Sequence, residues 1–308
     1  MYCLCCQKEL KEGEEHYHAS CFRKLFSEKR VYDGIASVQD LVESQIERNR
    51  TVPGVQEKLS LNLERKTSYR KTLHQKGMDY IVKFPSSSYP DMPEMENLVM
   101  NMADLCKIDT VLHGLYPIQG GYLYVTKRAD RNGMRRLAME DFCQLSYRLT
   151  QDKYKGSYES FQKIVSSYSS YPKKDLTELL YRILFCFLTG NNDMHLKNFS
   201  LMEISQGYGL SPAYDLINAS LLNPKDEEET ALTINGKKKN LHYKDFLSLS
   251  KSYQIEENVF VRLIERLCSY QEGWLSLLDS SLISSDLKKR FKTMLKERIS
   301  ILSRDGES

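Results

Sequence analysis

The spacing of hydrophobic and polar residues changes along the chain. Leu59, Leu61 and Leu63 alternate with polar residues, which predicts a half-buried strand. Residues 80–84 and 121–126 predict two more strands, and the apolar positions of residues 94–106 follow helical spacing. The first half of the chain is therefore predicted to contain strands around one helix.

From residue 141 onward the apolar positions follow helical spacing. The predicted helices cover residues 142–149, 176–188, 259–267 and 287–301, and a short one precedes the first strand at 38–50. Strands with one helix, followed mainly by helices, is the order of a two-lobed protein kinase. The predicted fold class is thus α+β, with a β-containing N-lobe and a helical C-lobe.

We predict three regions along the chain. Residues 1–26 form a small Cys/His unit, residues 27–127 the kinase N-lobe, and residues 128–308 the helical C-lobe. The stretch from 220 to 241 is predicted to be a mobile loop. Its acidic and basic runs, residues 226–229 and 237–239, are interpreted as solvated loop ends.

Composition excludes some classes of function. The 308 residues include 44 Lys and Arg against 41 Asp and Glu, a net charge of +3. This balance gives no electrostatic argument for direct DNA binding. No segment approaches the roughly 18 apolar residues of a membrane span, and the N-terminus lacks the layout of a signal peptide. We expect a cytoplasmic protein.

Four of the eight cysteines lie within the first 21 residues. Cys3-x2-Cys6 and His18-x2-Cys21 are two ligand pairs with the spacing of a tetrahedral zinc site. So short a segment has little apolar core, and a structural Zn²⁺ would supply its folding energy. Cys5 and His16 are alternatives to Cys6 and His18, and a set of free cysteines near a frayed terminus is the alternative to a metal site.

The segment most indicative of chemistry begins at Gly190. Asp193, Asn198 and Asp215 have the order found in kinase active sites. Asp193 would accept the proton of the attacking hydroxyl, while Asn198 and Asp215 would hold Mg²⁺ against the phosphates of ATP. A polar turn after a core helix is the alternative for this segment alone.

Other residues are candidates for binding the nucleotide. Lys83 ends a strand from which it would reach the phosphates, and Glu96 on the next helix would pair with it. The turn at residues 51–58, where Gly54 supplies a positive φ, would cover the phosphates. Lys127 and Ala129 mark a linker that would meet adenine through its backbone. A solvent-exposed strand-end lysine is the alternative for Lys83.

His195 follows Asp193 by two residues. Either His195 or Lys197 would face the γ-phosphate and offset its charge, or the imidazole would only brace the loop. Asp130 and Arg131 are interpreted as a surface or hinge ion pair.

Taken together, these segments resemble the HipA family of bacterial serine/threonine kinases, which are toxins of toxin–antitoxin pairs. The matching residues are Gly54-Val55-Gln56-Glu57-Lys58, Ile81-Val82-Lys83, Glu96, Arg128-x-Asp130-Arg131, Glu140-Asp141-Phe142-Cys143-Gln144-Leu145 with Lys153-Tyr154 after it, Asn192-Asp193-x-His195-x-Lys197-Asn198-Phe199-Ser200, and Ala213-Tyr214-Asp215-Leu216. They run in order from about residue 50 to 220.

The resemblance implies a kinase fold that uses ATP and Mg²⁺. Asp193 would match the catalytic base, Asn198 and Asp215 the metal ligands, and Lys83 the phosphate-binding lysine. Family members autophosphorylate the loop before the Gly-x-Gln-x-Lys segment, which would place this modification at Thr51; modification of Ser60, or of neither residue, is the alternative. Known family substrates are aminoacyl-tRNA synthetases, and an antitoxin protein links such toxins indirectly to operator DNA.

The chain departs from the family pattern in three places. Only about fifty residues precede the Gly-x-Gln-x-Lys segment, as in compact HipT-like members whose missing subdomain is a separate small HipS-like protein. Ala129 replaces the usual phenylalanine of the linker, and Thr51 and Pro53 alter the autophosphorylation loop. The catalytic residues are intact, so we expect an active kinase.

Two other functions are compatible with the motifs. A small-molecule phosphotransferase shares a similar Asp-x4-Asn loop, although the Glu-Asp-Phe-Cys-Gln and Gly-x-Gln-x-Lys segments argue against it. A non-catalytic kinase-like platform that binds an antitoxin would keep nucleotide affinity without phosphoryl transfer.

Overall fold

The computed structural model describes residues 1–26, 36–37, 58–66, 70–74, 79–86, 88–132 and 135–303. These residues form two compact units. Unit 1 comprises residues 1–101, 111–135 and 280–283, and unit 2 comprises residues 102–110, 136–279 and 284–308. Among the described residues, no helix is both long enough and apolar enough to cross a bilayer.

Unit 1 is built on a six-stranded sheet with the order β1-β5-β6-β4-β2-β3. The strands are β1 (Ala36–Ser37), β2 (Lys58–Lys66), β3 (Arg70–His74), β4 (Tyr80–Lys83), β5 (His113–Gln119) and β6 (Gly121–Lys127). Strand β1 is parallel to β5, and the other pairings are antiparallel. The predicted strands near residues 59, 80 and 121 are confirmed.

Helix α2 (Met92–Leu105) confirms the helix predicted at residues 94–106. Its apolar positions Met95, Leu98 and Val99 are fully buried, as the 3.6-residue spacing requires. Glu96 and Asn97, between them in sequence, are also buried. Since buried polar side chains need partners, these two residues require specific contacts, which are described below.

The Cys/His segment packs directly on the sheet of unit 1. Its helix α1 (Ala19–Phe26) buries Phe22, Leu25 and Phe26. The Tyr17 hydroxyl donates to the Leu115 carbonyl at 2.6 Å. A Cβ at Gly114 would lie 2.8 Å from Cys5 Sγ, so only glycine allows this close approach. The segment is therefore an integral part of unit 1.

Unit 2 is mainly helical. Its helices are α3 (Phe142–Leu145), α4 (Phe161–Tyr168), α5 (Pro172–Leu188), α6 (Ala219–Leu222), α7 (Tyr243–Ser252), α8 (Glu257–Cys268), α9 (Gln271–Ser280) and α10 (Ser285–Leu302). Short 3₁₀ turns cover Thr150–Asp152, Tyr158–Ser160 and Leu196–Asn198. The helices predicted near residues 176, 259 and 287 are confirmed.

Short strands complete the fold. Strands β9 (Met139–Asp141), β10 (Ser200–Ile204) and β11 (Gly207–Leu210) form an antiparallel sheet in the order β11-β10-β9. Strands β7 (Arg131–Asn132) and β8 (Arg135–Arg136) pair with each other.

Aromatic side chains fill the core of unit 2. Phe199 packs edge-on against Phe161 with ring centroids 4.9 Å apart, and Phe187 packs on Phe246 at 4.8 Å. The buried indole of Trp274 donates to the Met102 carbonyl at 3.0 Å. These close ring contacts, together with the hydrogen bond of the Trp274 indole, give the core of unit 2 a defined geometry.

Two expectations about unit 2 are wrong. The helix predicted at 142–149 ends at Leu145, because the chain turns at Ser146 and Tyr147 has a positive φ of 55°. The stretch from 220 to 241 is packed, with Leu232 and Ile234 fully buried. Its charged runs also pair across the loop, so they are more than solvated loop ends; the pairs are Lys238–Glu228 at 3.1 Å and Lys239–Glu227 at 3.4 Å.

Candidate active site

The Asp193 loop begins where the buried helix α5 ends. Gly190 has a φ of +75°, a conformation that favours glycine. A Cβ at this position would lie 2.5 Å from Asn218 Oδ1 and 2.7 Å from Ser220 Oγ. The Gly190 carbonyl also accepts from the Ser220 amide at 3.1 Å. The start of the loop is therefore fixed by backbone conformation and by close packing.

Asn191 joins the two segments that carry the carboxylates. Its side-chain oxygen accepts from the Asp193 amide at 3.3 Å, and its side-chain nitrogen donates to the Asp215 carbonyl at 3.4 Å. Asn191 is 1% exposed, so its side-chain amide is buried, and these two backbone groups satisfy its hydrogen bonding. Asp193 and Asp215, which are 22 positions apart in sequence, are thus held through one side chain.

Asn198 is fixed within the same loop. Its side-chain nitrogen donates to the Asp193 carbonyl at 2.9 Å, and its backbone amide donates to the His195 carbonyl at 2.9 Å. With the amide nitrogen engaged, the side-chain oxygen is the atom that remains to act as a ligand. An amide oxygen is a ligand of the kind that Mg²⁺ takes.

Asp215 has a positive φ of 55°, which is uncommon outside glycine. The preceding residue anchors it, since the Tyr214 hydroxyl contacts Ser200 Oγ at 2.5 Å and donates to the Lys197 carbonyl at 3.1 Å. A strained residue held by its neighbours is a frequent feature of functional sites. The Asp215 carboxylate and the Asn198 side-chain oxygen are oxygen donors of the kind that Mg²⁺ takes.

Tyr154 contacts the proposed base directly. Its hydroxyl donates to Asp193 Oδ1 at 2.6 Å, and its ring packs edge-on against His195 at 4.9 Å. Partial burial and this hydrogen bond raise the pKa of Tyr154, so the phenol stays protonated and remains a donor.

His195 is 5% exposed, and its Nδ1 makes no hydrogen bond among the described residues. Burial lowers the pKa of His195, although the nearby Asp193 carboxylate opposes this effect. A neutral ring packed on Tyr154 fits the bracing interpretation better than the phosphate-neutralising one. Lys197 donates to Asp141 Oδ2 at 2.7 Å.

Unit 1 contains the Lys83–Glu96 pair that the sequence predicted. Lys83 Nζ lies 2.6 Å from Glu96 Oε1, with side chains 5% and 2% exposed. The ammonium also lies 5.4 Å from the centre of the Tyr124 ring. The lysine is therefore a buried, paired group at the end of β4, which excludes the alternative of a strand-end lysine reaching solvent.

The linker candidates lie at the end of β6. The Lys127 amide donates to the Leu112 carbonyl at 2.7 Å, so this donor is already engaged. Ala129 lies in the turn that follows. Arg128 forms a two-bonded pair with Asp130, at 2.8 Å for each bond, and Arg131 also contacts Asp130. Partial burial would raise the pKa of Asp130, but its arginine partners lower it.

The four predicted zinc ligands lie together in unit 1. The ligand atoms of Cys3, Cys6, His18 and Cys21 all lie within 4.8 Å of one another. His18 Nδ1 is 3.4 Å from Cys6 Sγ and 3.9 Å from Cys21 Sγ. Tetrahedral zinc would separate a sulfur and a nitrogen ligand by about 3.5 Å. The donor set and its dimensions therefore fit Zn²⁺.

The contacts around the cluster favour one set of ligands. His18 Nε2 lies 2.9 Å from the Glu9 carbonyl, so Nε2 acts as a donor and leaves Nδ1 as the ligand atom. The His18 amide also donates to Cys3 Sγ at 3.4 Å. Cys5 packs against Gly114, and the His16 ring lies edge-on to the Tyr17 ring with the centroids 6.4 Å apart. Neither alternative ligand is part of the cluster.

Some residues predicted for the site are not described by the structure. Thr51 and Gly54 lie outside the described residues, as do residues 38–50, and the side chain of Ser60 is not described. The sequence motifs predicted no role for Asn191 or Tyr154. Tyr154 was within a matched motif, whereas nothing in the local pattern distinguishes Asn191 from a turn residue.

The model of the HipA-like C-terminal domain matches residues 51–274, which is more than half of the 308-residue chain. The chain belongs to the HipA-like C-terminal domain family. The resemblance inferred from the motifs is thereby confirmed, and Lys83, Asp193, Asn198 and Asp215 all lie within the matched region.

Curated relatives of this HipA-like chain are described as proposed kinases. Y4dM of Sinorhizobium fredii is 33% identical over 178 residues, which are 53% of this chain and 42% of that protein. A Haemophilus influenzae relative is 26% identical over 194 residues, 58% of this chain and 55% of that protein. The match thus spans about half the length of these relatives or less.

Two solved structures share the fold of the HipA-like chain. The Shewanella oneidensis HipA, in a complex with HipB and operator DNA, matches with a TM-score of 0.70 and 19% identity over 85% of this chain and 70% of that chain. The Helicobacter pylori proinflammatory kinase CtkA matches with a TM-score of 0.57 and 18% identity, covering 82% and 91%. The predicted α+β kinase-like fold class is confirmed.

Proposed function

We propose that this HipA-like chain is a serine/threonine protein kinase that transfers the γ-phosphate of ATP to a protein hydroxyl. The observation that carries the proposal is the Asp193 loop, in which Asn191 and Asn198 fix the candidate base by side-chain hydrogen bonds. Membership in a family with relatives described as kinases supports the same reaction.

Each residue has one step in the proposed reaction. Asp193 orients the acceptor hydroxyl and takes its proton as the oxygen attacks the γ-phosphorus and the bond to the β-phosphate oxygen breaks. Lys83, held by Glu96, binds the phosphates of the nucleotide. The side-chain oxygens of Asn198 and Asp215 would hold Mg²⁺, which would neutralise charge on the phosphates. Gly54, Lys127, Ala129 and His195 remain the further candidates for nucleotide binding.

The decisive experiment compares wild-type protein with Asp193→Asn during incubation with Mg-ATP and a mixture of serine- and threonine-containing peptides. Loss of a general base predicts a rate lower by about 10²–10⁴-fold. Asp286→Asn is the matched control, because Asp286 belongs to an exposed pair with Arg290 at 3.5 Å. Equal transfer by wild type and Asp193→Asn would contradict the proposal.

Two other outcomes would favour the alternative functions. Bound nucleotide without transfer by the wild type would favour a non-catalytic platform, and phosphorylation of a metabolite alone would favour a small-molecule phosphotransferase.

The biological role proposed here is that of a toxin that blocks translation, with an aminoacyl-tRNA synthetase as substrate and an antitoxin as partner. The complex of the structurally similar Shewanella oneidensis HipA with HipB and operator DNA supports an antitoxin partnership. DNA contact would be indirect, and a small HipS-like subunit is a further candidate partner. Induced expression should arrest growth only with Asp193 intact; arrest by Asp193→Asn would contradict this role.

Autophosphorylation is proposed at Thr51. Peptide mapping of the wild-type protein after Mg-ATP incubation should find one phosphate on the Thr51 peptide and none in Asp193→Asn. A phosphate on another peptide, such as the one containing Ser60, would overturn the assignment to Thr51 while leaving the kinase proposal intact.

We also propose that Cys3, Cys6, His18 and Cys21 bind one structural Zn²⁺. The support is the closed set of four ligands and the hydrogen bond that orients His18. Elemental analysis of the purified protein should give one zinc per chain, and Cys21→Ser should lose it. Cys268→Ser is the control, because Cys268 is a half-buried thiol outside the cluster. Full zinc content in Cys21→Ser would contradict this assignment.

A further inference from the structure

The two residues between the first pair of ligands connect the Cys/His cluster to the rest of unit 1. The Leu4 carbonyl accepts from the Leu115 amide at 2.9 Å and from Asn97 Nδ2 at 3.4 Å. The Cys5 carbonyl accepts from Asn101 Nδ2 at 2.8 Å. The turn from Cys3 to Cys6 is thus tied to both β5 and α2.

Asn97 and Asn101 lie one turn apart on α2, and both are buried, at 1% and 6% exposure. Asn101 also donates to the Asn97 carbonyl at 2.9 Å, and Asn97 Oδ1 lies 3.1 Å from His113 Nδ1. Buried side-chain amides in such a network are costly to leave unpaired. Their hydrogen bonds therefore fix the position of α2 relative to the cysteine turn.

Glu96 is next to Asn97 on the same helix. Successive residues on an α-helix are about 100° apart, so Glu96 points toward Lys83 while Asn97 points toward the cysteine turn. A rotation or shift of α2 that releases Asn97 would also move the Glu96 carboxylate. The Lys83–Glu96 contact of 2.6 Å has little tolerance for such a shift.

We propose that the metal-bound Cys/His cluster is a clamp on α2, and that Asn97 and Asn101 are positioning residues that transmit metal occupancy to the Lys83–Glu96 pair. This inference rests on the proposed zinc site and on the proposed role of Lys83 in nucleotide binding. Its consequence is that loss of the metal weakens nucleotide binding.

The physical reason is that the turn has little regular secondary structure of its own. Cys3, Leu4 and Cys5 are buried, but residues 1–10 contain no helix, and Tyr2 and Glu9 form only an isolated bridge. Metal binding supplies much of the folding free energy in such small units. When the turn opens, the Leu4 and Cys5 carbonyls withdraw from Asn97 and Asn101. The competing account is that the buried Met95, Leu98 and Val99 hold α2 without help from the cluster.

The first experiment removes the metal. Wild-type protein is treated with a zinc-selective chelator that leaves Mg²⁺ in solution, and the Kd of Mg-ADP is measured by calorimetry. Hydrogen–deuterium exchange of α2 is followed on the same samples. We expect Kd to rise about tenfold, the effect of one lost buried hydrogen bond, and α2 to exchange faster. Unchanged exchange of α2 after complete zinc loss would overturn the clamp.

The second experiment keeps the metal and breaks the connection. Asn101→Asp preserves side-chain size but removes the donor to the Cys5 carbonyl; Asn101→Ala is the alternative if aspartate at this buried position prevents folding. We expect wild-type zinc content together with weaker Mg-ADP binding and faster α2 exchange. Asn240→Asp, the same change at an exposed residue, should alter neither. Wild-type affinity and exchange in the zinc-loaded Asn101 variants would overturn the proposal.

The outcomes separate this inference from the proposals beneath it. Wild-type protein without zinc overturns both the zinc site and the clamp. Wild-type protein that holds zinc but does not bind Mg-ADP overturns the kinase proposal, while the exchange of α2 on zinc removal still decides whether the clamp exists.

Discussion

The phenol hydroxyl of Tyr154 donates a 2.6 Å hydrogen bond to Oδ1 of Asp193. This oxygen belongs to the carboxylate proposed as the catalytic base, so Tyr154 fixes the rotamer of that side chain. The other carboxylate oxygen, Oδ2, then remains for the acceptor hydroxyl. The phenol is itself supported by its edge-on contact with His195 at 4.9 Å.

Tyr154→Phe tests the importance of this hydrogen bond. The substitution keeps the ring on His195 and removes only the donor to Asp193. Because hydrogen bonds to charged groups contribute about 1.5–3 kcal/mol, we expect kcat to fall by roughly tenfold or more with little change in KM for ATP. Steady-state kinetics with the best peptide acceptor measures both constants.

Tyr168→Phe is the matched control for Tyr154→Phe. Tyr168 is similarly exposed, and among the described residues its hydroxyl contacts only Tyr147, at 3.5 Å. Its kcat should equal that of the wild type. If Tyr154→Phe were as active as this control, the hydrogen bond to Asp193 would have no part in positioning the base.

The buried Lys83–Glu96 pair predicts a difference between stability and activity. Glu96→Gln removes one charge and leaves the buried Lys83 ammonium without its carboxylate partner. This should destabilise the fold by about 3–5 kcal/mol. The double variant Lys83→Met/Glu96→Leu removes both charges and should recover much of that loss. Neither variant should bind Mg-ATP with wild-type affinity.

Thermal unfolding and calorimetry check this pair of variants. The double variant is the control for the single one, because it separates loss of fold from loss of the lysine. Wild-type nucleotide affinity in a folded Lys83→Met/Glu96→Leu protein would show that Lys83 does not bind phosphate.

The sequence predicted the elements with strong periodicity and the residues with distinctive chemistry. Helix α2 and the helices α5, α8 and α10 were predicted from spacing. The Lys83–Glu96 pair was predicted from the chemistry of a kinase site, with Lys83 at a strand end and Glu96 on the next helix. Strand β5 was missed because Gly114 and Pro117 interrupt its pattern. Four of its seven residues are nevertheless buried in the sheet, where the strand pairs with β6.

The missed contributors to the site depend on contacts that are distant in sequence. Asn191 acts by bonding Asp215, 24 positions away, and Asn101 by bonding Cys5, 96 positions away. A single sequence contains no signal for such hydrogen bonds. The short helix α3 was overextended for a related reason, since only the turn at Tyr147 ends it.

Glu94 gives the protein a predictable pH dependence. It lies in the first turn of α2, its Oε2 atom is buried without a hydrogen bond among the described residues, and burial raises its pKa from 4.5 to about 7. Between these values the folded protein keeps a proton that the unfolded chain releases. Stability should therefore fall as pH rises from about 4.5 to 7 and stay lowered above it.

Glu94→Gln removes this titration. Since one pKa unit corresponds to about 1.4 kcal/mol, we expect the variant to be more stable than wild type by roughly 1–3 kcal/mol at pH 8 and equally stable at pH 4.5. Glu257→Gln is the control, because Glu257 occupies the first turn of α8 but is exposed. Denaturant unfolding at the two pH values measures the difference; a Glu94→Gln advantage that persists at pH 4.5 would contradict burial of the charge as its cause.

Gly190 and Gly236 allow backbone strain to be separated from steric contact at the start of the Asp193 loop. Both have positive φ, +75° and +77°, so alanine at either position incurs the same conformational cost of about 1 kcal/mol. Only at Gly190 would the new Cβ meet other atoms, those of Asn218 and Ser220; around Gly236 nothing lies within 4 Å. Gly190→Ala should therefore be the more destabilising by roughly 1–3 kcal/mol.

Gly190→Ala should also lower kcat, because the loop that carries Asn191 and Asp193 must shift, whereas Gly236→Ala should leave kcat unchanged. Equal effects of the two substitutions on unfolding and on kcat would show that backbone conformation alone, and not the packing of Gly190 against Asn218, sets the position of the base.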